Sequence, residues 1–298
     1  MLEARSVLQY EGTLYRPPSE ADSLILQATI GCSWNRCTFC AMYRDKRFRV
    51  RPLEELRTEI ARVDAAFGAP AKVFLADGDA LIAKASFLEA LLDCLRETWP
   101  KLRRVSCYAS PQALQIRSIA EMESLRRKGL GLYYLGIESG HDTVLERLEK
   151  GVDAAEMTRV ALKAHEAGVK LSTMILLGAG GRALSCEHAR ASAAVVNAIQ
   201  PRFVSTLVMT PVAGTPLAEQ DARGAVDHLT PIELAAELRE FLGALECRGT
   251  IFRSNHASNW LALAGTLPKD QAALLAGLDR VLAAPESAAF RPAWARGL

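Results

Sequence analysis

The sequence lacks a long hydrophobic run, a strong net charge and a recognisable export signal. No apolar run reaches the roughly 18 residues that a membrane helix needs, so no membrane partner is expected. The net charge of +2 is too small to predict a nucleic-acid surface. The N-terminal segment shows no basic start followed by an apolar stretch and a cleavage site. We therefore expect a cytoplasmic protein whose cysteines are reduced.

Repeats, low-complexity tracts and linkers rich in glycine and serine are also absent from the sequence. Short apolar runs alternate with longer segments of helical periodicity, which is typical of parallel strands joined by crossover helices. The predicted strands span residues 23–30, 72–76, 104–109, 132–137, 171–177 and 203–210. The predicted helices span residues 53–67, 84–98, 111–127, 142–149, 154–167, 185–199, 231–245 and 269–282, with an extended segment at 250–254. Six strand–helix units predict an α/β fold, a partial (β/α)6 TIM-like barrel.

The same pattern predicts three parts within the chain. Residues 1–22 form an N-terminal arm, in which the prolines of the 15–21 stretch fix the backbone. The barrel core covers residues 23–217. Residues 218–298 form a C-terminal extension that is expected to pack on the barrel.

Residues 44–51 form the densest basic segment of the chain. Such a run is compatible with a solvated loop or with a contact to a phosphate or another polyanion. The solvated loop is the commoner outcome and is favoured here.

The cysteines fall into two classes. Three of the seven, Cys32, Cys37 and Cys40, stand close together directly after the first predicted strand. Thiolates are the usual ligands of iron–sulfur clusters, and three ligands for four irons leave one iron open. A structural zinc site is the alternative, although it normally needs four ligands. The four remaining cysteines stand alone in the sequence and are interpreted as structural: Cys94, Cys107, Cys186 and Cys247.

The segment from Cys32 to Cys40 resembles the motif of the radical S-adenosylmethionine superfamily. The two-residue gap before Cys40 and the aromatic Phe39 match the family pattern, whereas four residues instead of three separate Cys32 from Cys37. This atypical Cx4Cx2C spacing predicts an altered loop with the same chemistry. The resemblance extends from about residue 15 to residue 217. It implies a [4Fe–4S] cluster held by the three cysteines and S-adenosylmethionine bound at the open iron.

Three further segments carry the resemblance, which lies closest to the branch of oxygen-independent coproporphyrinogen oxidases and methylthiotransferases. Asp77, Gly78 and Asp79 follow the second strand, where the family holds the amino group of the cofactor; a simple turn is the alternative. Glu138 ends the fourth strand, where the branch contacts the cofactor's ribose or methionyl part, and a salt bridge with a core arginine is the alternative. Gly178 follows the fifth strand, near which the adenine lies in the family, and its alternative is a tight turn.

The resemblance also implies a mechanism and partners. The cluster passes one electron to the sulfonium of S-adenosylmethionine, and the resulting 5′-deoxyadenosyl radical removes hydrogen from a substrate. An oxygen-sensitive enzyme is therefore expected, with an electron donor of the flavodoxin or ferredoxin type. A small-molecule substrate is favoured, and nucleic acid is not expected. The alternative is a non-catalytic iron–sulfur or zinc protein with a sensing or binding role.

A polar segment near the C-terminus holds the remaining candidate. His256 stands among serine and asparagine residues just after the extended segment. It is a candidate proton donor or acceptor for the reaction. The alternative, which is slightly favoured, is that it satisfies backbone groups at a corner of the chain.

Overall fold

The computed structural model describes residues 7–297 of the chain. Residues 1–6 of the predicted N-terminal arm lie outside the described residues. The arm contains a short 3-10 turn at Pro18–Glu20, which begins on a proline as expected for a helical start. Of the helices within residues 7–297, none combines the length and hydropathy that a membrane span requires.

Ten strands lie within the described residues. They are β1 (Leu24–Gln27), β2 (Thr29–Ile30), β3 (Arg49–Val50), β4 (Lys72–Ala76), β5 (Arg104–Ala109), β6 (Leu130–Glu138), β7 (Lys170–Leu177), β8 (Phe203–Val208), β9 (Ile251–Ser254) and β10 (Leu263–Thr266). Ten α-helices accompany them. They are α1 (Leu53–Phe67), α2 (Ala85–Thr98), α3 (Pro111–Ile116), α4 (Ile119–Arg127), α5 (Asp142–Arg147), α6 (Ala154–Glu166), α7 (Gly181–Ile199), α8 (Pro216–Ala222), α9 (Pro231–Gly243) and α10 (Gln271–Ala283).

Eight of the strands form one sheet in the order β1-β4-β5-β6-β7-β8-β9-β10. The neighbours from β1 to β6 are parallel, as are β7, β8 and β9, and β10 is antiparallel to β9. This mainly parallel sheet with its helices confirms the predicted α/β fold of a partial TIM-like barrel. The six predicted strands correspond to β1 with β2 and to β4–β8, and the extended segment predicted at 250–254 corresponds to β9, whereas β10 was not predicted. β10 includes an alanine and a glycine, which have low strand propensity, so its sequence does not indicate a strand.

The first predicted strand is divided where the chain changes partners. β1 pairs with β4, whereas β2 pairs antiparallel with β3. The change occurs at Ala28, whose N–H donates to the Ala76 carbonyl and whose carbonyl accepts from the Arg51 N–H. β2 and β3 therefore close the base of the loop that carries the three clustered cysteines.

The single helix predicted at residues 111–127 is two helices, α3 and α4. Arg117 has an extended backbone, and Ser118 caps the new helix by accepting from the Glu121 N–H while the Glu121 side chain accepts from the Ser118 N–H. This reciprocal capping box ends one helix and starts the next. The prediction of one helix was wrong because it followed the apolar period across the cap.

The chain divides into two compact units. The first contains residues 7–35, 42–135 and 160–171. Its core includes Trp99, whose indole N–H donates to Asp64 at 2.8 Å and so joins α2 to α1. The second contains residues 36–41, 136–159 and 172–297. In this second unit β9 pairs with β8 and α9 packs on α7; the predicted domain limits at residues 22 and 217 stay predictions.

Candidate active site

The three clustered cysteines are reduced and half-buried. Cys32 follows Gly31 at the end of β2 in the first unit, and Cys37 and Cys40 belong to the second. A turn joins the latter two, in which the Cys40 N–H donates to the Cys37 carbonyl at 3.2 Å. Within residues 7–297 no group of three or more His, Cys, Asp or Glu side chains is arranged to hold a metal ion. Ligation by these three thiols therefore stays a prediction.

Asp77 lies directly after β4 and is fully buried. Its Oδ2 accepts from Lys46 Nζ at 2.8 Å, from Gln27 Nε2 at 3.1 Å and from the Gly31 N–H at 3.1 Å. The Lys46 side chain is only 4% exposed, so this is a buried ion pair. Asp77 Oδ1 is buried without a hydrogen-bond partner among residues 7–297. The carboxylate thus contacts the residue immediately before Cys32.

Asp79 is equally buried and contacts the other side of Cys32. Its Oδ2 accepts from the Ser33 hydroxyl and, at 2.7 Å, from the Ser110 hydroxyl. Its Oδ1 accepts from the Ser110 N–H at 3.0 Å. Ser110 is the N-cap of α3, since its hydroxyl also accepts from the Ala113 N–H at 2.9 Å. Asp79 therefore ties the cysteine loop to the start of a helix.

Gly78 lies between these aspartates and approaches an aromatic ring too closely to carry a side chain. Its N–H donates to the Gly31 carbonyl at 3.1 Å, which adds a third bond to the cysteine loop. A Cβ at this position would lie 2.4 Å from Cε2 of Tyr43. The Tyr43 ring is 2% exposed and packs edge-on against Tyr15, so it has little room to move.

Gly78→Ala is expected to destabilise the protein by about 1–3 kcal/mol, because the added methyl must displace the Tyr43 ring. Urea unfolding of the apo protein measures this change. Gly277→Ala in α10 is the matched control, since the nearest atom to its new Cβ is an Arg280 nitrogen at 3.9 Å. That control is expected to gain about 0.5–1 kcal/mol from helix propensity. A Gly78→Ala variant that is at least as stable as the wild type would contradict the packing argument.

In the second unit, Thr38 anchors the segment between Cys37 and Cys40. Its N–H donates to the Leu148 carbonyl at 3.0 Å and its hydroxyl to the Arg147 carbonyl at 3.1 Å. Its carbonyl accepts from the Leu217 N–H at 3.0 Å. The adjacent Phe39 packs against a buried apolar cluster formed by Val144, Leu148, Leu176 and Ala179. Polar bonds and an aromatic side chain together fix this end of the loop.

Glu138 ends β6 and forms an ion pair that sequence reasoning considered only with arginine. Its Oε1 accepts from Lys150 Nζ at 2.9 Å, and both side chains are 10% exposed. Gly136 makes room for the carboxylate, because a Cβ there would lie 1.9 Å from Glu138 Oε1. The φ of Glu138 is 66°, a left-handed conformation that non-glycine residues adopt at a cost and that clusters at functional sites.

The Glu138–Lys150 pair acts electrostatically on Cys37. Burial raises the pKa of the Cys37 thiol above its usual value, and the charge of Lys150 opposes this rise. The carboxylate of Glu138 and the neighbouring Cys40 both raise the pKa further. Glu138 and Lys150 therefore lie within electrostatic range of the second clustered cysteine.

Gly178 lies at the turn after β7 with a φ of 82°, which favours glycine. Its N–H donates to Oε1 of Glu237 at 2.6 Å, and the Ser185 hydroxyl donates to Oε2 at 2.6 Å. Glu237 belongs to α9 and is 2% exposed. Burial raises the pKa of Glu237 to about 7, although the two hydrogen bonds oppose the rise. A buried carboxyl thus holds the turn predicted to lie near the adenine.

His188 on α7 lies beside this carboxyl and is fully buried. Its Nε2 is 3.0 Å from the Leu176 carbonyl and 3.8 Å from Glu237, and its Nδ1 is 2.8 Å from the Ser139 hydroxyl. The carbonyl requires a proton on Nε2, so Nδ1 accepts from the hydroxyl. Burial lowers the pKa of His188 to about 4, which keeps the ring neutral near pH 7.

Glu237→Gln is expected to change how stability depends on pH. The folded pKa of about 7 lies above the ordinary 4.5, so protonation favours the folded state. This contribution is complete below pH 4.5 and is lost as the pH rises to 7. The glutamine variant lacks it, so from pH 4.5 to 8 the wild type should lose up to about 3 kcal/mol relative to the variant. Urea unfolding of both proteins across that range tests this, and parallel pH profiles would contradict it.

His256 lies in a corner of the chain after β9. Its Nδ1 is 2.9 Å from the Ser258 hydroxyl and accepts from the Ser258 N–H at 3.2 Å. Its carbonyl accepts from Arg291 at 2.8 Å. Burial and the nearby Arg291 lower the pKa of the ring. Contacts of this kind are expected from the alternative interpretation, in which His256 satisfies backbone groups at a corner of the chain. A catalytic role for His256 stays a prediction.

The basic segment at residues 44–51 carries several ion pairs with carboxylates. Lys46 pairs with Asp77, Arg49 with Glu11, and Arg51 with Glu59 at 2.8 Å and with Glu55 at 3.2 Å. The solvated-loop interpretation was wrong for Lys46, which is buried. The pairing neutralises part of the charge that a polyanion contact would use.

Sequence reasoning missed Lys46, Lys150, His188 and Glu237. Lys46 was concealed within a basic run. Glu237 occupies a core-facing position of an amphipathic helix. A charged residue at such a position is rarely buried without a partner, and this is the signal that could have revealed it.

Comparison with known proteins supports the assignment of the fold. The chain matches no curated protein. Among solved structures it is similar to coproporphyrinogen III oxidase from Escherichia coli, with 17% identity, a TM-score of 0.58, and coverage of 81% of this chain and 54% of that one. Methylornithine synthase gives 18% identity, a TM-score of 0.53, and coverage of 75% and 63%. The chain thus spans less than two thirds of these proteins, and at such identities the likeness concerns the fold alone.

A family model extends the comparison to the sequence. The model of the radical SAM superfamily matches residues 26–181, which is more than half of the 298 residues. The matched range contains the three clustered cysteines and the segments after β4, β6 and β7. Enzymes of this family use a [4Fe–4S] cluster and S-adenosylmethionine. The chain belongs to the radical SAM superfamily.

Proposed function

We propose that this chain is a radical enzyme in which Cys32, Cys37 and Cys40 hold a [4Fe–4S] cluster and S-adenosylmethionine binds at the open iron. The observation that carries the proposal is the anchoring of the cysteine loop on both sides. Asp77 and Asp79 bind the residues flanking Cys32, and Thr38 is bonded to three backbone groups of its own unit. A loop that was merely exposed to solvent would not need these hydrogen bonds to buried groups.

The donor set fits the cluster chemically. Three reduced thiols on one short loop, all half-buried, supply the soft sulfur ligands that iron–sulfur clusters take. When bound, the cluster supplies the electron that cleaves S-adenosylmethionine to methionine and a 5′-deoxyadenosyl radical, which abstracts hydrogen from the substrate. Membership in a family of enzymes favours this function over a non-catalytic iron–sulfur or zinc protein.

The remaining predicted residues are assigned to orient the cofactor. The side chains of Asp77 and Asp79 are bonded to the cysteine loop, so we assign the cofactor's amino group to backbone carbonyls around Gly78. Glu138 lies near Cys37 and is assigned to the ribose or methionyl part. Gly178, held by Glu237, is assigned to the adenine side. Phe39 packs in the apolar cluster and positions the loop.

The enzyme also requires a substrate and an electron donor. A small molecule is the proposed substrate, and a flavodoxin- or ferredoxin-type protein is the proposed electron donor. A reducing compartment such as the cytoplasm would keep the thiols available for the cluster.

Anaerobic reconstitution tests the function. The protein is loaded with iron and sulfide, reduced with dithionite, and incubated with S-adenosylmethionine. We expect a brown iron–sulfur chromophore and formation of 5′-deoxyadenosine and methionine that depends on the reductant. Zinc binding without the chromophore, or a loaded protein that gives neither product, would contradict the proposal. Deuterium transfer from candidate substrates into 5′-deoxyadenosine then identifies the substrate class.

A further inference from the structure

The residues on either side of Cys32 are bonded to two buried carboxylates. The Gly31 N–H donates to Asp77 at 3.1 Å, and the Ser33 hydroxyl donates to Asp79. Both aspartates are 0% exposed. Cys32 therefore lies between two residues, Gly31 and Ser33, that are each hydrogen-bonded to a buried carboxylate.

We propose that Asp79, acting through the Ser33 hydroxyl, is a positioning residue that sets how firmly Cys32 holds the iron–sulfur cluster. This inference rests on the proposed function. Asp79 acts through another residue, so it is distinct from a ligand of the cluster or of the cofactor. The Asp77 contact to the Gly31 N–H supports the same loop from the other side.

Asp79 is suited to this role because its own position is fixed. Both of its oxygens accept from Ser110, one from the N–H at 3.0 Å and the other from the hydroxyl at 2.7 Å. Ser110 in turn caps α3, so the carboxylate is tied to a helix start rather than to a flexible chain. The chain of bonds from Ser33 through Asp79 to Ser110 transmits the rigidity of the helix to the cysteine loop.

The atypical spacing of the cysteines increases the need for a restraint on the loop. Four residues separate Cys32 from Cys37, and a longer loop has more conformations to restrict. Within that gap, Asn35 adopts a left-handed φ of 45° and its side chain donates to the Tyr43 carbonyl at 2.8 Å. The Ser33 bond adds a second restraint, and a hydrogen bond to a buried carboxylate is stronger than a neutral one.

Ser33→Ala and Ser110→Ala form a matched pair that separates positioning from stability. Each variant removes one hydroxyl donor from Asp79, but only Ser33 lies in the cysteine loop. After anaerobic reconstitution, the rate of iron loss to a ferrous chelator is measured for both variants. Ser33→Ala should lose iron about tenfold faster than wild type, as expected for one charge-assisted hydrogen bond. Ser110→Ala should stay within about twofold, because the N–H of residue 110 still donates to Asp79 Oδ1 and the Ser33 bond is intact. Its Tm should fall by a few degrees through loss of the helix cap.

Two further measurements exclude a merely structural effect. The electron paramagnetic resonance spectrum of the reduced cluster should change in Ser33→Ala and not in Ser110→Ala. Ser33→Thr keeps the hydroxyl and should restore both the iron-loss rate and the spectrum. Equal iron-loss rates in Ser33→Ala and Ser110→Ala would overturn the proposal, as would failure of Ser33→Thr to restore the wild-type rate.

A measurement on the apo protein separates this inference from the proposed function. Alkylation of Cys32 is followed by mass spectrometry, with Cys40 as the internal reference. Ser33→Ala should increase the labelling rate of Cys32 several-fold relative to Cys40, because the anchored conformation is lost. A wild-type protein that takes up no cluster would overturn the proposed function and, with it, the role toward the cluster. Unchanged labelling in Ser33→Ala would overturn the anchor whether or not a cluster binds.

Discussion

Replacing Cys37 with alanine is expected to abolish the iron–sulfur chromophore and to reduce 5′-deoxyadenosine formation to the level of a protein-free control. With only Cys32 and Cys40 left, the loop supplies two thiolates, too few to hold three irons of a four-iron cluster. Cys32→Ala and Cys40→Ala should behave alike for the same reason. Iron and acid-labile sulfide per chain, together with product analysis after reduction, measure the effect.

Cys186→Ala is the matched control for these three variants. Cys186 lies on α7 in the second unit and is exposed. Its replacement therefore removes a thiol without changing the cysteine loop. Cluster content and product formation should equal those of the wild type. Retention of a full cluster in Cys37→Ala, or its loss in Cys186→Ala, would show that the ligand assignment is wrong.

Lys46→Met is expected to destabilise the apo protein by about 3–5 kcal/mol, because it leaves the buried carboxylate of Asp77 without its cation. The side chains of Lys46 and Asp77 are 4% and 0% exposed, so water cannot replace the lost partner. The cysteine loop should loosen as well, because Asp77 also accepts from the Gly31 N–H. Urea unfolding measures the loss of stability.

Arg49→Met provides the comparison for an ion pair in solvent. Arg49 pairs with Glu11, and both side chains are 52% exposed. Such pairs contribute about 0–1 kcal/mol, so this variant should remain close to the wild type. A loss in Lys46→Met as small as that in Arg49→Met would mean that the Asp77 carboxylate finds other solvation, and the argument for a buried pair would fail.

The cysteine loop illustrates how much of the site could be read from the sequence. The spacing of Cys32, Cys37 and Cys40 after a strand already indicated the type of cofactor, because ligand spacing is a local property of the chain. The Asp77–Asp79 segment was also recognised by its place after β4. Its contacts with the loop could not be predicted, because Ser33 and Asp79 are 46 residues apart and meet only in the folded chain.

Glu138 and Gly178 show the same limit. The cost of burying a glutamate at a strand end predicted a polar partner, but the partner is Lys150 rather than an arginine. Gly178 after β7 was predicted to lie near the adenine, with a tight turn as the alternative, and neither interpretation indicated that a carboxyl from α9 holds it. A buried polar or charged group needs a partner, and the sequence can indicate that need. Which residue becomes the partner depends on packing.

The sequence by itself determined the α/β alternation, the six predicted strands and the close spacing of the three cysteines after the first of them. These follow from periodicity and spacing, which are local. Only the tertiary structure decided that β9 and β10 extend the sheet, that Lys46 is buried against Asp77, and that two aspartates anchor the residues around Cys32. Those outcomes depend on hydrogen bonds and ion pairs between segments that are distant in the sequence. Such interactions form only when folding has brought the groups together and excluded water.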